Sequence, residues 1–591
     1  MTKRDMIRIG GAAGFWGESD MALPQLLRAG GLDFIVFDYL AEVTLSIMAR
    51  QRAKDPAAGY ATDFVTHVMT PNLEDIAGQG VRIISNAGGM NPSACAEALR
   101  KEIAARGLSL SVAVVTGDDL LHRRADFARM REMFSGADFP ENPASINAYL
   151  GAFPIARALD EGADIVITGR CVDSAVTLGA CIHAFGWGRQ DHDLLSAGSL
   201  AGHILECGPQ ATGGNFTDWR DVAGDIVNIG YPVAEMHRDG TFVCTKPEGT
   251  GGQVSVATVG EQMLYEIGNP AAYILPDVVC DFTQVSLEQE GPDRVRVTGA
   301  RGRAAPATYK VSTTYADGFR AGTIVFFQGQ DAADKARLFA EATFVRARRK
   351  LRALNAPDFT ETLVEITGDE SCYGASARET DARDVALKIA ARHPDARAAG
   401  LLIKEMTGLA LATPPGLSLF AGGQSRPSPV VRLFSFLTPK DMLTITVEID
   451  GRKIALPPET GAPVDDIAPQ IPMPPQGQAD MTCPLSDLAV ARSGDKGDKA
   501  NIGILPRDPA YAPWIWAALD EAEITRRFAH FLQGDVERFF LPGTGAINIL
   551  LHDVLGGGGM ASLRNDPQGK TYAQILLDTP IPIPAALTET D

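Results

Sequence analysis

The sequence predicts an α/β fold: a doubly wound parallel-sheet N-terminal region, a second α+β lobe, and a small C-terminal α+β domain. Three observations carry this. Short apolar runs without polar alternation recur through the first half, the pattern of strands covered by helices on both faces. Amphipathic stretches alternate with them, giving the strand–helix order of a doubly wound layer. Beyond about residue 240 this order gives way to β-branched strands, one long helix, a hairpin and a proline-rich stretch.

Taken in order, residues 6–10 form a strand ending in glycines, and 20–29 a helix stopped by Gly30-Gly31. Strand 34–37 leads through Asp38-Tyr39 into a helix reaching about residue 52. Strand 81–84 ends in Ser85-Asn86-Ala87-Gly88-Gly89 and precedes a helix over 93–106. Strand 110–115 ends in Thr116-Gly117-Asp118-Asp119. A helix over 149–160 precedes strand 164–168, which ends in Gly169-Arg170-Cys171-Val172-Asp173 before a helix to about 185. The second lobe has strands at 254–259, 294–298, 307–312 and 322–327, and a helix at 332–353. A hairpin of 443–449 with 453–456 turns about Asp450-Gly451. Seven prolines in 457–480 make a semi-rigid linker. The last unit has strands at 485–491, 501–505 and 546–552, and helices at 511–519, 523–531 and 571–577. That interleaving suits a ferredoxin-type sandwich. The divisions are thus 1–240, 241–456, 457–480 and 481–591.

The chain has 591 residues, too many for one core, and 45% hydrophobic content supplies several. A net charge of -19 argues against nucleic acid or an anionic membrane as partner, since both attract clustered positive charge. No apolar h-region follows the first eight residues and no run is long enough to span a bilayer, so a cytoplasmic location is expected. Eight scattered cysteines without C-x-x-C spacing read as reduced thiols, with no structural zinc site. A homo-oligomer is the expectation from the symmetry of large soluble enzymes.

In an open parallel sheet, ligands bind beyond the carboxyl ends of the strands. Five loops fall there: 10–17, Asp38-Tyr39 with Glu42, 86–91, 116–119 and 169–174. The first, with Gly11 and Gly14, reads as a phosphate cradle, although its glycines do not follow G-x-G-x-x-G; a tight strand-to-helix turn is the plainer alternative. Phe15 and Trp16 are candidate walls for an acyl or adenine group. Asp38, Glu42, Asp118, Asp119 and Asp173 bring carboxylates suited to acid–base work, or to capping the next helix. Arg170 suits clamping a carboxylate or phosphate. Cys171 has no histidine beside it in sequence and reads as a buried thiol. A second cluster holds His203, Glu206 and Asn215, and a third loop Lys246 with Gly249-Thr250-Gly251-Gly252. The stretch Arg492-Ser493-Gly494-Asp495-Lys496-Gly497-Asp498-Lys499-Ala500-Asn501 suits either an anion-binding turn or a solvated one.

These motifs resemble those of a known family. Arg8-Ile9-Gly10-Gly11 with Gly14-Phe15-Trp16-Gly17, Phe37 to Glu42, Gly162 to Arg170, Gly202 to Gly208 with Ala211 to Phe216, and Gly249 to Gly252 resemble the acyclic terpene utilisation protein AtuA family, DUF1446. Arg492 to Asn501 and Gly556 to Gly559 resemble its attached ferredoxin-fold domain. The resemblance implies breakdown of geraniol- and citronellol-like acids as CoA thioesters. The family pattern also leads one to expect a histidine after Lys246, where this chain has Pro247.

The leading expectation is an enzyme of branched-chain or terpenoid-like acyl-CoA catabolism, a hydratase or C–C lyase, with a CoA thioester as substrate and no covalently bound cofactor. Asp173, Glu206, Arg170, Asp38 and His203 are its candidate catalytic residues. Gly11, Gly14, Phe15, Trp16, Tyr39, Asn86, Gly88, Gly89, Asp118, Asn215, Lys246 and Gly251 are candidates for holding the substrate. One rival is a hydrolase or lyase of a small carboxylic acid with Mg²⁺ on Asp118, Asp119 and Asp173. Another is a non-catalytic subunit of an acyl-CoA carboxylase assembly.

Overall fold

The computed structural model describes residues 5–378, 380–419, 425–464 and 467–588. Its central layer starts from the apolar runs of the first half. These form β1 (Met6–Gly11), β2 (Phe34–Phe37), β3 (Arg82–Ser85), β4 (Val112–Thr116), β5 (Pro143–Ala148) and β6 (Ile165–Thr168). Five of them pair in parallel in the order β1-β2-β3-β6-β4. Successive side chains of a strand point to opposite faces, so a continuous apolar run must be covered on both. Ile7, Ile9, Phe34, Val36, Ile84 and Val166 pack under helices Phe153–Asp160, Ala175–Phe185 and His192–Leu205. Ile35, Phe37, Ile83, Val114, Ile165 and Ile167 pack under Ala22–Ala29, Glu42–Lys54 and Pro92–Ala105. The fold is the expected doubly wound α/β layer.

Strands from the second lobe extend the same sheet. β7 (Val233–His237) lies antiparallel to β1 and β8 (Phe242–Thr245) to β7; Arg294–Thr298 and Ser286–Gly291 follow outward. At the other edge the hairpin of Thr446–Ile449 and Arg452–Ala455 joins β4. The change in texture near residue 240 therefore marks a switch from parallel to antiparallel pairing within one eleven-stranded sheet, not a gap between cores.

Three elements of the first 456 residues differ from what was expected of them. Residues 254–259 are not a strand: Ser255 and Thr258 form a reciprocal capping box that starts helix Val256–Leu264. A box of this kind satisfies free N–H groups at a helix start and overrides the β-branched composition. The strands expected at 307–312 and 322–327 are one strand, Thr308–Gln328, with a register shift between Ala316 and Phe319 where Gly318 has φ of 71°. Asp317-Gly318 forms a bulge in that strand. Helix 149–160 begins only at Phe153, because Tyr149 N–H donates to the Lys310 carbonyl at 2.9 Å and holds the chain extended. The long strand anchors a six-stranded sheet covered by helices Ala332–Ala353 and Ala396–Leu409.

The proline-rich stretch is held down by Glu459, which accepts from Tyr309 Oη at 2.8 Å and pairs with Arg189 at 3.0 Å. The C-terminal domain is a four-stranded antiparallel sheet, Ala489–Lys496, Lys499–Pro506, Ala546–Leu551 and the unforeseen Val536–Leu541, covered by helices Ala512–Ala518, Glu521–Phe528 and Tyr572–Leu577. Residues 485–488, expected in a strand, are a helical turn leading into it. Among the described residues no helix is long and apolar enough to cross a membrane.

Candidate functional site

The five loops beyond the parallel strands meet at one rim. Asn86 Nδ2 donates to Asp38 Oδ1, and its Oδ1 accepts from Tyr39 N–H at 2.7 Å. Gly88 lies so close to the next loop that a Cβ there would stand 2.5 Å from the Thr168 carbonyl. Asp118 accepts from Arg170 N–H at 2.8 Å and from Asn147 Nδ2 at 2.9 Å. The first loop joins through Asp38 N–H, which donates to the Ala13 carbonyl at 3.1 Å.

The phosphate cradle does not appear. A Cβ on Gly11 would meet the Leu205 carbonyl at 2.7 Å, and one on Gly14 the Cys207 Cα at 2.9 Å. These glycines let the end of helix His192–Leu205 and the turn after it sit on the loop. The Gly14 N–H is taken by Glu18 Oε2 at 2.6 Å. Close backbone approach was legible; its partner is protein.

That packing brings His203 and Glu206 to the rim. Glu206 bonds His203 Nδ1 at 2.9 Å, and His203 Nε2 faces the Met263 carbonyl at 3.2 Å. A carbonyl only accepts, so Nε2 carries a proton, which leaves Nδ1 to face the Glu206 carboxyl. Burial raises the Glu206 pKa despite the histidine. Arg170, itself buried, donates to Asp173 Oδ1 at 2.6 Å and lies 4.2 Å from the Tyr149 ring centroid. Tyr149 Oη donates to Glu42. Burial would raise Glu42, but Lys310, Arg170 and this hydroxyl outweigh it and hold the carboxyl at about 2. Asp38 goes the other way. Burial, reinforced by Asp173 and Glu206, raises its pKa well above the usual carboxylate range, against Arg170 and Asn86. Burial lifts Asp118 to about 6.

One edge of the site therefore holds Asp38, the Asp173–Arg170 pair and the His203–Glu206 pair. Asp38, raised by burial, and Glu42, held at about 2, show the separation of pKa values that acid–base chemistry uses. Asp173 keeps a third of its side-chain surface accessible. His203 is fully buried and acts through Glu206.

Other candidates fall elsewhere. Phe15 is exposed, and Trp16 Nε1 donates to Asp63 at 2.6 Å. Tyr39 belongs to the core, stacked on Phe37 with centroids 6.1 Å apart. Gly89, at φ 52°, packs on Met48 and serves the turn. Asn215 is exposed on a left-handed turn at φ 55°. Lys246 pairs with Asp293 at 3.2 Å and donates to the Thr250 carbonyl, and Gly251 abuts the Asp225 carbonyl. The three aspartates considered for Mg²⁺ hold separate partners: Asp118 the Arg170 backbone, Asp119 Arg52 at 2.8 Å, and Asp173 the Arg170 side chain. Among the described residues no three His, Cys, Asp or Glu side chains are grouped to hold a metal ion. Cys171 is buried and its thiol is pushed up to about 12, which leaves it inert.

Sequence reasoning missed Tyr149, Tyr273 and Lys310, and named Lys496 only as part of the charged C-terminal motif. Lys496 comes from the C-terminal motif, and the whole motif serves its delivery. Arg492 is buried against Glu261 at 3.2 Å and donates to the Gly214 carbonyl at 2.6 Å. Gly494 leaves room for the Tyr265 ring, 2.6 Å from where a Cβ would stand. Asn501 donates to the Leu264 carbonyl at 2.6 Å and accepts from Glu266 N–H at 2.8 Å. Gly497, at φ 71°, makes the hairpin tip, and Asp498 fastens it by accepting from the N–H groups of Leu555, Gly557 and Gly558. Successive left-handed glycines of this sort form an anion-binding nest, filled here by Asp498. Lys496, beside that tip, has its Nζ 5.9 Å from the Tyr273 ring centroid.

Two family models match the chain: the acyclic terpene utilisation family protein AtuA over residues 7–449, and the AtuA ferredoxin-like domain over 483–582. No curated protein and no solved structure matches it. The first match spans well over half the chain and takes in the entire rim. The chain belongs to the acyclic terpene utilisation AtuA family, and its last hundred residues form that family's ferredoxin-like domain.

Proposed function

We propose that the protein is an acid–base lyase, a hydratase acting on the CoA thioester of a branched, terpenoid-like acid. The family's link to acyclic terpene utilisation supports a catabolic role. What supports the reaction class is one rim that sets Asp38, whose pKa burial raises well above the usual carboxylate range, together with Asp173 held on Arg170. One group is ready to give a proton and the other to take one.

In the dehydrating direction, the α C–H bond breaks and its proton passes to the Asp173 carboxylate. The electron pair moves toward the thioester oxygen, then returns to form the C=C bond as the β C–O bond breaks. The departing hydroxyl takes the Asp38 proton and leaves as water. Hydration is the same path reversed. Arg170 keeps the Asp173 carboxylate oriented, and the His203–Glu206 pair exchanges a proton with the same space.

The test is incubation of the purified protein with branched and unbranched 2-enoyl- and 3-hydroxyacyl-CoA thioesters, read by mass spectrometry. A gain or loss of one water on a branched member is expected. Asp38→Asn lowers that rate by about 100-fold or more, the usual worth of a general acid. If no member of the panel changes mass, the reading fails.

A further inference from the structure

Tyr149 stands where the two large sheets meet. It follows β5, which pairs antiparallel with strand Thr308–Gln328 of the second sheet. Its N–H donates to the Lys310 carbonyl at 2.9 Å, and Ala148 N–H donates to the Asp118 carbonyl at 2.9 Å. The next residue is bonded to the rim loop in both directions: Leu150 N–H donates to the Arg170 carbonyl at 3.3 Å, and Val172 N–H to the Leu150 carbonyl at 3.0 Å. The backbone that carries the Tyr149 ring and the backbone that carries Arg170 are therefore fastened to each other.

The side chain uses that footing. Tyr149 is buried, and its Oη donates to Glu42, the first residue of helix Glu42–Lys54. Arg170 Cζ lies 4.2 Å from the ring centroid, and Lys310 Nζ lies 4.8 Å from it. Arg170 is buried as well. Its Nη1 donates to the Cys171 carbonyl at 3.0 Å and to Asp173 Oδ1 at 2.6 Å, whereas its Nε is buried and meets no hydrogen-bond acceptor among the described residues. A buried guanidinium with an unmatched donor is costly unless another contact offsets it. The electron-rich face of the Tyr149 ring is the group in place to do so.

We propose that Tyr149 is the positioning residue of the rim: its ring face fixes the Arg170 guanidinium, and through it the Asp173 carboxylate that takes the α-proton. This rests on the acid–base reading of the same site. Asp173 keeps a third of its side-chain surface accessible, so its one ion pair, to Arg170, is what sets its direction. The phenol moves no proton in this scheme, because Oη already gives its hydrogen to Glu42. The hydroxyl anchors the ring and the ring face holds the cation, so the two parts of the side chain have separable roles. A base on a loop of the first sheet is thereby set by a ring that follows a strand of the second.

The experiment uses the full chain with Tyr149→Leu, which removes the π face, and Tyr149→Phe, which keeps it. Two quantities are read: steady-state turnover of the CoA thioester that reacts, and the rate at which the arginine-selective reagent phenylglyoxal labels Arg170, followed by peptide mass spectrometry. Tyr149→Leu lowers kcat and speeds Arg170 labelling, each about tenfold or more, the scale of a desolvated cation–π contact. KM stays within about twofold, because the ring serves the base and not substrate binding. Tyr149→Phe restores most of kcat and keeps Arg170 labelling slow. Arg392 and Arg492, also buried, stay slow in both variants, which separates local release of Arg170 from general loosening. If Tyr149→Leu loosens them too, Tyr149→Met, a longer side chain without a π face, decides. Arg170 labelling no faster without the ring, or a phenylalanine variant as impaired as the leucine one, overturns the proposal whatever the thioester panel shows. Ring-dependent protection of Arg170 with no turnover of any panel member supports the positioning role and sinks the hydratase reading alone.

Discussion

Asp38 shows how much a single position can tell. An aspartate at the end of an apolar strand could equally cap a helix or move a proton. The deciding factor is burial beside Asp173 and Glu206, which only the folded chain supplies. Its raised pKa has a sign that can be checked. In the dehydrating direction the acid form is the working one, so dehydration should fall as pH rises through the Asp38 value, and hydration, which uses the ionised form, should not. Asn86 donates to the ionised form and so opposes that rise. Asn86→Ala should therefore move the alkaline limb of the kcat profile to higher pH; an unmoved or lowered limb would count against Asp38 as the acid. The meeting of Asp38, Arg170 and Asp173 at one rim was legible because all three follow strands of a doubly wound sheet; Glu206 follows helix His192–Leu205 instead. Lys310 and Lys496 were not legible. The first is one charged residue in a strand and the second one of several in a charged turn, and nothing local distinguishes them from solvated lysines.

At the scale of elements, strand positions were legible because apolar runs leave few alternatives, whereas Ser255-Val256-Ala257-Thr258 carries strand composition and helix capping together. Capping won because a buried helix start cannot leave its N–H groups unpaired. Glycines announced close approach without naming what approaches. Gly88 makes this testable. A methyl there would stand 2.5 Å from the Thr168 carbonyl and 2.6 Å from Pro92 Cβ, both on rigid backbone segments. Gly88→Ala should destabilise by about 1–3 kcal/mol through overpacking. Gly78, in helix Leu73–Gln79, has open space where its Cβ would stand. Gly78→Ala should stabilise by roughly 0.5–1 kcal/mol through helix propensity. Urea unfolding of the two variants, side by side, checks both signs; equal effects would remove the steric account.

For the whole molecule, the proline-rich stretch suggested separable units, and the buried contacts say otherwise. Arg492 reaches from the ferredoxin-like domain into the first part, meeting Glu261, Gln210 and the Gly214 carbonyl. Asn501, Asn548 and Gly503 lay the same sheet directly on residues 264–268. None of this was visible in the motif, because its partners lie more than 200 residues away. The acidic side of the docking is strained: burial lifts Glu261 to about 7 even beside Arg492. A carboxyl whose pKa is raised on folding stabilises the fold at acid pH and loses that contribution as pH climbs through the folded value. Docking should thus loosen between about pH 5 and pH 8, and Glu261→Gln should flatten that slope. Arg492→Ala is the sharper probe. It removes the one cation paired with Glu261 among the described residues and strands three acceptors, on Gln210, Gln262 and Gly214, and breaking one side of a buried pair costs about 3–5 kcal/mol. That loss falls on the interface, not on the parallel sheet. The variant should open the 457–480 stretch to limited proteolysis and release the C-terminal domain from the rest of the chain. An Arg492→Ala protein that resists protease like the wild type would show that the domain is held by something other than this contact.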